Sequence, residues 1–253
     1  MHGGTGARIE HGGFDPVRRL SGRVGHVSWS WTVAPVTTVP TPTTTTGLAE
    51  LGPVQQLRAG RLGRRLPQLT IGLFLYGWSL AMMIRADLGL DPWDVLHQGL
   101  HRYIPVSFGT VTIIVGVVVL LVWIPLRQRP GMGTIANAFL VGPAADFGLA
   151  AMHTPANLPG RIALLLGSIV LNGLAGGLYI GSQFGPGPRD GLMTGIVART
   201  RWSVRWVRTS IEVVVLAIGW VLGGSFGVGT VLYALTIGHL VQFFLRRVTV
   251  RLH

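Results

Sequence analysis

Residues 65–149 overlay residues 161–245 at a constant offset of 96 positions, without gaps and with 24 identities in 85. The identities cluster. Gly89-x-x-Pro92-x-Asp94-x-Leu96-x-x-Gly99 meets Gly185-x-x-Pro188-x-Asp190-x-Leu192-x-x-Gly195, and Gly131-x-Gly133-Thr134 meets Gly227-x-Gly229-Thr230. Both copies are strongly apolar. Such a chain is constrained to a membrane architecture in two like halves. That is the construction of many secondary transporters, whose substrate sites lie between the halves. Duplication alone names no substrate.

Only 12% of the residues are charged, against roughly 25% in soluble domains, and the mean hydropathy is +0.50. The formal charge of +12 comes from 21 basic residues, all arginine. In a soluble chain such a charge raises nucleic-acid binding. Here the arginines flank apolar runs, so they read as membrane-orientation signals, and no nucleic-acid partner is expected. With no cysteine, disulfides and thiolate-held metals are excluded.

Residues 1–60 stand outside the repeat and are rich in Gly, Thr and Pro. This composition buries too little apolar surface to offset chain entropy, which predicts a disordered tail. A second reading stays open: a misassigned start, with the true one near Val54 or Leu57. Residues 61–253 then form the transmembrane domain, with repeat 1 at 65–153 and repeat 2 at 161–249.

Six apolar runs, at 66–84, 107–126, 133–153, 161–182, 204–222 and 226–245, approach the ~20 residues needed to cross a bilayer core. The third holds Asn137, Pro143 and Asp146 and is the weakest as a simple span. A segment of about 12 residues follows the first span of each copy, at 92–103 and 188–199. As a helix it reaches roughly 18 Å, too short for a core of roughly 30 Å. Pro92 and Pro188 suit a first helical turn, and Asp94 and Asp190 suit its positive end. A re-entrant or interfacial half-helix is predicted in each copy.

Arginine placement sets the orientation. Arg58, Arg61, Arg64 and Arg65 precede the first span, and Arg127 and Arg129 follow the second. Arg189, Arg199, Arg201, Arg205 and Arg208 lie between the fourth and fifth, and Arg246, Arg247 and Arg251 follow the sixth. With six spans all fall on one side, which places both termini in the cytoplasm. The arginine-rich 189–208 stretch matches an acidic stretch of copy one, as expected of three-span repeats inserted in opposite directions. Were the short segments to span, eight spans and parallel repeats would leave Arg127 and Arg129 outside.

The stretches Leu88-Gly-Leu-Asp-Pro-Trp-Asp94, Ser107-Phe-Gly-Thr110 and Gly185-Pro-Gly-Pro-Arg-Asp-Gly-Leu192 carry a resemblance. So do Val207-Arg-Thr-Ser-Ile-Glu212, Gly219-Trp-Val-Leu-Gly-Gly224 and Gly227-Val-Gly-Thr230. In these the chain resembles the bacterial YczE family (YczE/YyaS/YitT-type) of integral membrane proteins. The resemblance covers about three-quarters of the chain and implies a multi-span protein of the cytoplasmic (inner) membrane. It supports architecture more than function.

Ionisable residues inside the bundle are the site candidates. Two half-helices could bring Asp94 and Asp190 toward the midplane for a cation or a proton; the plainer alternative is helix capping, worth about 0.5–2 kcal/mol each. Arg189 could hold an anionic group or anchor the chain at the cytoplasmic face, the plainer role. Glu212, in the fifth span, lies one turn from Arg208, so a desolvated local ion pair is expected, whose breaking would cost about 3–5 kcal/mol; a substrate or proton role for Glu212 is the alternative. Asp146, opposite Gln242 in the repeat, could bind a coupling ion or join two helices. His97 and His101 have metal-like spacing but no third ligand, so no metal is expected. Gly173, Gly177 and Gly181 form a stripe suited to close helix packing, and the Gly-x-Gly-Thr pairs read as tight helix entries rather than phosphate loops.

The expected fold is an all-α polytopic transmembrane bundle of two three-span repeats, inverted relative to each other. The expected function is a transporter-like permease or exporter of a small solute, coupled to protons, with no cofactor and no enzymatic activity. The alternative is a non-transporting accessory or regulatory protein of a membrane complex. A transporter keeps a polar cavity between its repeats; an accessory protein buries its polar groups and shows an apolar partner face.

Overall fold

The computed structural model describes residues 53–250 and Leu252. The tail expected at 1–60 lies outside the described residues as far as residue 52. Its last part is a correction: Pro53–Arg58 forms a short helix, α1, whose Gln56 is buried because its carbonyl accepts from Arg65 Nη1 at 2.6 Å.

All regular structure among the described residues is helical. After α1 come α2 (Leu62–Ala86), α3 (Pro92–His101), α4 (Phe108–Leu126), α5 (Met132–Ala151), α6 (Leu158–Gly181), α7 (Pro188–Thr200), α8 (Val204–Val221) and α9 (Val228–Val248). Five of them, α2, α4, α5, α6 and α9, are long and apolar enough to cross a membrane. The sequence predicts a sixth span at α8. That helix reaches 18 residues but carries Arg205, Arg208 and Glu212, and so stands apart from the five.

Local chemistry explains the helix starts. Pro92 and Pro188 open α3 and α7, where a missing N–H is harmless. Ser107 and Ser203 cap α4 and α8 by accepting from Thr110 N at 3.1 Å and Trp206 N at 3.3 Å. Thr134 and Thr230 Oγ1 accept from the Gly131 and Gly227 amides at 3.1 and 3.3 Å, closing the tight entries of α5 and α9. The first residues of α2, α3, α4 and α5 stand 96 positions before those of α6, α7, α8 and α9. Left-handed backbone recurs at the same offset, at Asp87 and Gln183, Gly89 and Gly185, Arg127 and Gly223.

The centre is the pairing of α2 with α6. Arg65 meets Ser182, Ser79 meets Asn172 and Arg161 meets Ala86, an order that makes the two helices antiparallel. Gly77 lies at Val141 and Ala144, and Gly148 at Ala81, so α5 runs parallel to α2. Gly173 receives Leu240 and Gly177 receives Phe244, so α9 runs parallel to α6 and the glycine stripe serves this packing. Because α6 and α9 point the same way, the chain has to return between them, through α7 and α8.

Contacts at the two ends come in matched, crossed pairs. Gly133 N donates to Phe184 O and Gly229 N to Leu88 O, both at 2.8 Å. Arg65 Nε and Nη2 donate to Ser182 O and Gln183 O, each at 2.9 Å, while Arg161 Nε and Nη2 donate to Ala86 O and Asp87 O. A guanidinium thus neutralises the negative C-terminal end of each central helix. The short helices cross over as well. Val95 and Leu96 of α3 press on Gly219 of α8, and Gly191 of α7 lies under the Trp123 ring of α4.

Candidate functional site

A cavity of about 300 Å³ opens among α2–α9, each helix contributing to its wall. Much of the wall comes in pairs 96 residues apart: Tyr76 and Asn172, Trp93 and Arg189, Thr112 and Arg208, Gly116 and Glu212, Asn137 and Tyr233. Asp91 and Gly187, at the starts of α3 and α7, form a further pair.

Helix entry places the acids. Asp91 caps α3 by accepting from Asp94 N at 2.9 Å, which leaves its other oxygen toward α7. There Arg189 Nη1 stands 3.5 Å from Asp91 Oδ2, and Nη2 stands 3.6 Å from Asp94 Oδ1. His97 Nδ1 donates to the same Asp94 oxygen at 3.0 Å. The Arg189 guanidinium also lies 5.1 Å from the centre of the Trp93 ring. Asp91 is 1% exposed and Asp94 0%, so both depend on this single guanidinium for compensation.

On the α7 side Asp190 accepts from the Tyr179 hydroxyl at 3.1 Å. Tyr76 packs edge-on against Tyr179, with ring centres 6.0 Å apart. Tyr233 donates to Asn172 Oδ1 at 3.0 Å, and Asn172 Nδ2 donates to Ser79 Oγ at 2.8 Å. Arg208 and Glu212 form the expected pair, Nε to Oε1 at 2.9 Å.

Four of the sequence candidates, Arg189, Asp190, Arg208 and Glu212, therefore meet at one cavity, and Asp94 backs it through Arg189. Three points depart from the sequence reading. Arg189 turns into the bundle instead of anchoring at its face, because α3 presents two buried carboxylates to it. The cap of α3 is Asp91, not Asp94. The Arg208–Glu212 pair is not desolvated by packing, since its side chains are 54% and 35% exposed.

Asp146 stays away from the cavity. It accepts from Ser107 Oγ at 2.5 Å and Gly109 N at 2.7 Å and so holds the positive start of α4 against α5. Its repeat counterpart Gln242 does line the cavity. His97 and His101 share no site, since His97 is buried on Asp94 while His101 is exposed. Sequence reasoning missed Asp91 and the three tyrosines. Asp91 was findable, because a residue before a proline at the first helical position is a natural cap. The tyrosines carry no such signal.

Residues 63–246 match a family model described as "Family of unknown function (DUF6198)". An uncharacterized protein of Haemophilus influenzae is 37% identical over 181 residues, covering 70% of this chain and 83% of its own. The uncharacterized membrane protein YczE of Bacillus subtilis is 32% identical over 176 residues, covering 69% and 82%. The uncharacterized protein YyaS of the same organism is 25% identical over 179 residues, covering 69% and 89%. No solved structure matches the chain.

Proposed function

The chain belongs to the YczE family of membrane proteins, and from that premise we propose that it is a transporter-like permease or exporter of a small solute, coupled to protons. One observation carries the reading: the charged cavity lined by every helix from α2 to α9, much of its wall made of residues 96 positions apart. An accessory protein has no need of such a cavity, and its polar groups would be packed away.

In this reading the two halves are inverted repeats around a two-fold axis in the membrane plane, and rocking of one half against the other exposes the cavity to either side. The antiparallel α2–α6 pair and the crossed contacts at Leu88 and Phe184 support it. The Asp91–Asp94–His97–Arg189 cluster is the proton site. A proton on either carboxylate weakens its hold on Arg189, and the freed guanidinium changes the charge presented to the solute. Both termini are cytoplasmic and the membrane is the bacterial inner membrane, readings that the arginine distribution and the resemblance support. No enzymatic step, cofactor or nucleic-acid partner is assigned.

The test is flux. Full-length protein in proteoliposomes with an internal pH dye should show proton movement dependent on added solute, across a panel of amines, amino acids and organic acids. Asp94→Asn should abolish the proton movement. Wild-type protein that inserts correctly yet moves neither solute nor protons across the whole panel would overturn the proposal.

A further inference from the structure

We propose that the cavity takes a small organic monocation, a protonated amine held at Asp190 among tyrosine rings; this deepens the transport reading and rests on the cavity being the solute site. The argument starts from which charges are already spent. Arg208 is engaged by Glu212 at 2.9 Å. Arg189 is shared between Asp91 and Asp94. The charge of each guanidinium is thus already matched by at least one carboxylate, although Arg208 engages Glu212 through Nε alone.

The surplus is negative. Asp190 meets only the Tyr179 hydroxyl, and no cationic side chain lies within ion-pair distance of it among the described residues. Asp94 Oδ2 is buried without a hydrogen-bond partner. Two guanidiniums thus face four carboxylates, in a space where low polarity magnifies any imbalance. An anion entering it would be repelled and a neutral solute would leave Asp190 without an ion-pair partner, with only the more distant field of Arg208 to offset it. A cation satisfies it.

The surroundings of Asp190 favour an organic cation. Tyr179 and Tyr76 form its aromatic flank, and ring faces attract ammonium groups. Asn137 and Gln242 also stand on the wall, offering amide oxygens to further N–H groups. A bare metal ion fits less well, because no group of three His, Asp or Glu side chains converges among the described residues. The volume of about 300 Å³ sits at the small end of ligand pockets, roughly 300–1,000 Å³. Of the two surplus negative charges, one lies in the Asp91–Asp94 pair of the proposed proton site, so the one unpaired wall carboxylate, Asp190, calls for one positive charge.

Compounds of one skeleton and different charge test this on purified full-length protein by calorimetry. Phenethylamine, phenethyl alcohol, 3-phenylpropionate and phenylalanine form one set; butylamine, butanol and butyrate form another. At least one amine should bind tenfold or more tighter than its alcohol and its carboxylate, about 1.4 kcal/mol. Asp190→Asn should remove that margin and Asp190→Glu should keep it. If Asp190→Asn does not fold, the charge series on wild-type protein decides alone. Equal or tighter binding of a carboxylate or the zwitterion overturns the proposal, as does failure of both amines at millimolar concentration. Proteoliposome uptake separates the two readings. An amine bound but not moved refutes transport and leaves the cation site standing; a carboxylate moved while amines are not refutes the cation site and leaves transport standing.

Discussion

Arg189→Gln is the most informative single change, because one guanidinium compensates two buried carboxylates. At 3.5 and 3.6 Å, each pair is worth about 5 kcal/mol of gross attraction at an effective dielectric of ~20. Burying the guanidinium takes back a large part of that, and removing it spares the protein this desolvation. What remains is the penalty of stranding Asp91 and Asp94, which typically comes to about 3–5 kcal/mol for a broken buried pair. The folded fraction in a detergent unfolding titration should fall accordingly. The double variant Arg189→Gln with Asp94→Asn should recover most of the loss, since one carboxylate fewer needs compensation. Acid should also narrow the deficit, because a protonated carboxyl requires no counter-charge. An Arg189→Gln protein that unfolds at the wild-type midpoint, at neutral pH, would refute the reasoning. It would mean that water in the cavity screens both acids and that Arg189 is free to meet a solute.

Other predictions follow from the same geometry. Single cysteines introduced into this cysteine-free chain should react from the cytoplasmic side at 127–131 and 199–203, and from the outside at 154–158 and 223–225; labelling of 127–131 from outside would favour eight spans. Arg65→Ala should cost about 3 kcal/mol or more in unfolding titrations, because three buried carbonyls lose a charged donor; an effect below about 1 kcal/mol would mean water replaces it. Glu212→Gln should lower stability by no more than about 1 kcal/mol, since the pair with Arg208 is open to the cavity. Its effect should appear in solute affinity instead, and a loss of folding as large as that of Arg189→Gln would show the pair to be shielded from water.

The helices were legible because their ends are written locally. The short segments begin at Pro92 and Pro188 as expected, and Ser107, Ser203, Gly131 and Gly227 mark the entries of four longer helices. The direction in which a side chain turns was less legible. Arg189 and Asp190 are neighbours in sequence, and nothing local says that Arg189 faces α3. That follows from α7 packing on α4 while α3 packs on α8, a crossing no window of residues contains. Asp146 looked like a site because a lone acid in an apolar span is costly. Its compensation comes from the start of α4, 37 and 39 residues away in sequence. Tyr76, Tyr179 and Tyr233 read as ordinary span residues, since a tyrosine among aliphatic neighbours carries no mark of the cavity its hydroxyl reaches.

The proposed two-fold also explains why identical residues can hold different tasks. Asp94 and Asp190 match in the overlay, as do the prolines two residues before them, so the scaffold delivers both acids to the same relative place. Their neighbours differ. Asp91 in one half stands where the other has Gly187, Trp93 where it has Arg189, and His97 where it has Met193. The first half thereby makes a carboxylate pair that needs a cation, and the second half supplies it. Asp190 is left without the equivalent partner, because Trp93 carries no charge. Exchange of the same kind links Gly116 to Glu212 and Thr112 to Arg208, which gives the second half an ion pair where the first has small and neutral groups. Packing positions such as Gly89 and Gly185 stay alike because only a glycine tolerates a φ of 115° or 105° there. Residues close to the axis meet their own counterparts, so agreement there would place like charge opposite like charge, whereas residues away from it can pair crosswise, as Arg65 and Arg161 do. Solute preference therefore rests on the shared Asp190 and on the divergent positions around it, which give Asp94 a guanidinium at Arg189 and leave Asp190 only Trp93 in the equivalent place.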